Sequence, residues 1–134
     1  MTITYNVEAW RPVKRILASW VSDGDGDASG TTNVISGYLL RGVTDPGTTA
    51  PTDDYDIVLT DDEGADILGN CLDDLMDRDT ADTEIVDFVI YDGQATMAER
   101  PCVSSAITIT VSNAGDTKEG QVILYFDGQM AQSP

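Results

Sequence analysis

Histidine is absent from this 134-residue chain, and only seven lysines and arginines stand against 24 aspartates and glutamates. The first lack removes the commonest general base at neutral pH and the usual activator of a serine or cysteine nucleophile. The second leaves a formal net charge of −17. Such a chain repels nucleic acid and anionic membranes, because binding to phosphate grows with the number of basic groups that displace counterions. Cysteine is scarce too: Cys71 and Cys102 fall short of the four ligands a structural zinc site takes, with no histidine to complete the set. Two buried, reduced cysteines are the expectation, and a disulfide between them is the alternative. Apolar runs stay far below the roughly 20 residues that cross a bilayer. Met1-Thr-Ile-Thr-Tyr-Asn has neither a basic start nor an apolar stretch behind it, so no leader peptide and synthesis in the cytoplasm are expected.

What is present is enough for a core. Apolar residues make up 41% of the chain, with two Trp, five Tyr and two Phe, too many for a disordered polymer despite the charge. The length suits a single domain, 1–134. Charge is uneven along it. Residues 1–15 set Arg11, Lys14 and Arg15 against Glu8, a net +2, whereas the remainder carries −19. The acidity serves solubility, while the basic start, residues 1–12, reads as an arm that docks on an acidic surface.

Period-two and β-branched patterns dominate. Strands are expected at Thr2–Val7, Val13–Val21, Val34–Val43, Tyr55–Thr60, Glu84–Tyr91, Ala106–Ser112 and Gln121–Phe126. Ile16, Ala18 and Trp20 share one face of the second, and Gly37 within the third marks a bulge or a close approach. Asp23-Gly-Asp-Gly-Asp, Thr44–Asp54 and Asp61-Asp-Glu-Gly are turn and loop sequences, where Gly supplies positive φ and Asp bonds its own backbone. Asn113–Gly120 is expected to join the last two strands as an antiparallel hairpin. Cys71, Leu72, Leu75 and Met76 recur at helical spacing, so one short helix is expected near 70–77. The tail, 128–134, reads as loose. The fold class is therefore all-β, an antiparallel sandwich or partly closed barrel of about seven to eight strands.

Candidate chemistry is thin. Asp23, Asp25 and Asp27 offer carboxylates at alternate positions, as calcium loops do. An EF-hand starting at Asp23 is rejected, since Ala28 stands where Gly is required and Val34 where a bidentate Glu is. A looser, weak cation site and a solvated acidic tip remain open. The pairs among Asp53, Asp54 and Asp56, Asp61–Glu63 and Asp73–Asp74 are unavoidable at this acid content, and no phosphate loop or nucleophile elbow accompanies them. No enzyme and no cofactor are expected. Trp10, Trp20, Tyr5, Tyr38, Tyr91 and Tyr125 read as core and rim, with a ligand groove as the alternative.

Three stretches are more specific. Val43 to Gly69, Arg78-Asp-Thr-Ala-Asp-Thr-Glu and the closing Ile107 to Tyr125 resemble a pattern in small proteins of tailed-bacteriophage structural gene clusters, covering roughly residues 13–126. Cys71-Leu-Asp-Asp-Leu-Met departs from it, lying where the relatives are small and Gly-rich. The resemblance implies a virion component and does not say which one. Synthesis in the host cytoplasm, the major capsid protein or another virion protein as partner, and a homo-oligomer, a trimer in the head decoration role, are the expectations. A decoration (cement) protein is the first expectation. A neck, tail or fibre-anchoring component is the second, and a receptor- or carbohydrate-binding module, calcium-assisted, is the third. Arg11, Lys14 and Arg15, with Trp10 and Tyr5, are the expected contact residues, and the loops 23–27, 45–56 and 61–66 would face solvent.

Overall fold

Alternating residues set the strands, and the strands close around one apolar cluster. The computed structural model describes residues 3–8, 13–52, 55–65, 67, 84–87, 90–91, 98–99 and 101–130. Eleven strands run through them: β1 Ile3–Glu8, β2 Val13–Val21, β3 Ala28–Thr31, β4 Ile35–Pro46, β5 Asp56–Thr60, β6 Glu84–Asp87, β7 Ile90–Tyr91, β8 Ala98–Glu99, β9 Cys102–Ser105, β10 Thr108–Ser112 and β11 Glu119–Met130. The fold is all-β, as the pattern predicts, and no helix occurs among the described residues. The helix expected near 70–77 lies outside them.

A six-stranded sheet has the order β1-β2-β11-β4-β6, with β9 also paired to β4. A three-stranded sheet, β3-β10-β5, covers its inner face, and β7 pairs with β8 apart from both. Every pairing is antiparallel. The larger sheet curls into a half-barrel, bringing β1 and β2 beside β3.

The chain alternates between the layers. It passes from β2 to β3, back to β4 and over again to β5. Only Ala106 and Ile107 separate β9 in one sheet from β10 in the other. The corner is held by Thr32, whose amide donates to the Ile107 carbonyl at 2.9 Å while its hydroxyl accepts the Ile107 amide at 3.1 Å. This corrects the expected final hairpin. β10 and β11 belong to different sheets, so Asn113–Lys118 is a crossover at one end of the sandwich. Nor is the strand end at Phe126: β11 continues through Met130, pairing Gln129 with Ser36 and Met130 with Ile35.

Side chains at period two fill the interior. Ile16, Ala18 and Trp20 from β2 face Val122, Leu124 and Phe126 from β11, and Ile57, Leu59, Ile107, Ile109 and Val111 close the other side. Each fully buried aliphatic residue stabilises the fold by ~1.5–3 kcal/mol relative to exposure. Trp20 meets Tyr55 at a centroid distance of 5.7 Å and 47°. Cys102 departs from expectation: it is a free, exposed thiol, because β9 alternates and its core-facing positions are Val103 and Ser105.

Candidate functional site: the outer face of the six-stranded sheet

An antiparallel sheet with one solvated face normally reads polar on that side. The three-stranded sheet obeys this. Thr31, Thr108 and Thr60 stand in one row across β3, β10 and β5, and the Thr31 and Thr108 hydroxyls lie 3.1 Å apart. The six-stranded sheet does not obey it. Leu17, Ile123 and Val43 form a row across β2, β11 and β4, each half-buried and turned away from the core.

The next row is Arg15, Tyr125 and Arg41. Backbone register extends it at both ends, with Glu8 of β1 opposite Arg15 and Asp87 of β6 opposite Arg41. Two acids and two bases thus occupy one line of five residues, centred on a tyrosine. Beyond it come Val13, Asp127 and Tyr38, where Val13 is 46% and Tyr38 51% exposed. On the other side come Ser19, Gln121 and Asp45, then Val21 and Glu119.

The nine paired residues of β2 and β11 run ~30 Å, and three strands span ~14 Å, a face of ~400 Å² before the flanking strands are added. Aliphatic, tyrosine and arginine side chains at the centre and carboxylates at the rim match the anatomy of protein–protein interfaces.

Of the expected contact residues, Arg15 lies on this face. Lys14 does not: it is 9% exposed, paired with Phe126, itself in register with Leu39, in the inward row. Period two continues the Ile16–Ala18–Trp20 row one step to Lys14, which withdraws it from docking. Tyr5 is placed by its backbone opposite Ala18, while Trp10 and Arg11 lie outside the described residues. Ile3–Glu8 of the expected arm form an edge strand with six register pairs to β2. The residues missed by sequence reading are Leu17, Arg41, Val43 and Ile123. Ile123 alone had a signal, the unbroken apolar run Val122-Ile-Leu-Tyr-Phe, which does not alternate and so announces a strand apolar on both faces.

The acidic loops are built for turning. Asp23 Oδ1 accepts the amides of Asp25 at 2.9 Å and Asp27 at 3.0 Å, and the Asp23 amide donates to the Asp27 carbonyl at 2.9 Å. Asp61 repeats the arrangement with Glu63 at 3.0 Å and Ala65 at 2.9 Å, and its amide donates to the Ala65 carbonyl. Both turns place a positive-φ glycine, Gly26 and Gly64, fourth in the sequence Asp-x-x-Gly. The amides of Asp27 and then Asp25 hold the Asp23 carboxyl below the ordinary carboxylate range. Among the described residues no three acidic or cysteine side chains converge on a point where a metal ion would sit. Asp23 is therefore a turn cap, and Asp25 and Asp27 point to solvent or its margin without forming a cage.

The loops also lock together. Ser22 Oγ donates to the Gly115 carbonyl at 2.6 Å and accepts the Lys118 amide at 2.8 Å. The Ala114 amide donates to Gly26 and the Thr117 amide to Asp23. The 23–27 loop is thus pinned to the crossover and is not the tip of a hairpin.

No family model and no curated protein matches the chain.

Proposed function

We propose that this protein is a non-catalytic structural component of a tailed-bacteriophage virion, a decoration protein of the head shell. The observation that carries the reading is the outer face of the six-stranded sheet, which keeps Leu17, Ile123, Val43 and Tyr125 where a solvated sheet would be polar. A module with such a face is built to be covered by another protein. Its other properties support the same role. The net charge of −17 keeps a protein present at high local concentration apart from its copies until it docks. The sequence resemblance of residues 43–69 and 107–125 to phage structural proteins supports that setting.

Co-sedimentation with expanded heads of its own phage that lack the protein tests this. Saturable binding in a fixed ratio to the major capsid protein, roughly hundreds of copies per particle, is expected. Failure to bind heads, with about ten to a few dozen copies in purified virions, would move the protein to the neck or tail. Glycan binding by the isolated protein, with neither of these, would make it a receptor-binding module.

A further inference from the structure

We draw no further inference here: the strongest candidate, the apolar row of Leu17, Ile123 and Val43 on the outer face of the six-stranded sheet, carries none because nothing in the structure shows what covers that face.

Discussion

Gly37 and Gly128 stand directly opposite one another across β4 and β11, each filling the space a side chain on the other would need. A Cβ on Gly37 would lie 2.7 Å from the Gly128 Cα, and one on Gly128 would lie 2.7 Å from the Gly37 Cα. Gly128 also has φ 151, which L side chains rarely adopt. The pinch follows a bulge at Leu40, where the register shifts between Tyr125 and Phe126. Bulges and glycines together let a sheet bend sharply. Gly37→Ala is expected to destabilise by ~1–3 kcal/mol through overpacking. Urea denaturation reads the loss, and a midpoint equal to wild type would show that the strands part without cost.

A second glycine shapes the core. Gly120 pairs with Trp20, and a Cβ there would meet Trp20 Cζ2 at 2.7 Å and Cε2 at 3.0 Å. The indole packs close against the strand because nothing projects from Gly120. Gly120→Ala is expected to displace the ring from Tyr55, lowering the melting temperature and shifting tryptophan emission. Unchanged emission with unchanged stability would refute that packing.

The hydroxyl of Ser22 joins two loops that are far apart in sequence, and Ser22 is buried. Ser22→Ala leaves the Gly115 carbonyl and the Lys118 amide without their partner, a cost of ~1–3 kcal/mol. Hydrogen exchange at Lys118 should accelerate in the variant. If it does not, other groups hold the crossover.

Acid sensitivity follows from Asp23. Its folded carboxyl is depressed by the Asp27 and Asp25 amides, so its contribution is present above the ordinary carboxylate pKa. The contribution is lost as pH falls through the depressed value. Asp23→Asn is expected to lower stability at neutral pH and to narrow its gap from wild type in acid. The melting-temperature difference between the two proteins, followed against pH, isolates this residue from the general relief of repulsion as the other acids protonate. A gap that stays constant would remove Asp23 from the acid response.

Calcium at millimolar concentration is expected to leave the melting temperature unchanged, because Asp23 serves as a turn cap and no carboxylate cage forms among the described residues. A saturable rise that Asp25→Asn abolishes would restore a cation site to this loop.

Alternation along the chain determined most of the strands by itself. Val13–Val21 begins and ends where the pattern says, and Ile107, Ile109 and Val111 turn inward as written. Period two is a local property, set by successive side chains pointing to opposite faces. The Asp-x-x-Gly turns were equally legible, because an aspartate caps amides only two and four residues away. Sheet membership was not legible. β3 and β9 are short and weakly patterned, and only pairing partners distant in sequence make strands of Ala28–Thr31 and Cys102–Ser105. The same distance effect separated β10 from β11, since a loop between two strands does not record which sheet each joins. The candidate face was half visible, as an apolar run that refuses to alternate. Its assembly from Leu17, Val43 and Ile123 required the register of three strands. The inward direction of Lys14 was legible, two residues before Ile16 on the same strand, but its place beside Phe126 was not. Local chemistry dictates which way each side chain points, and only tertiary pairing decides what it stands beside.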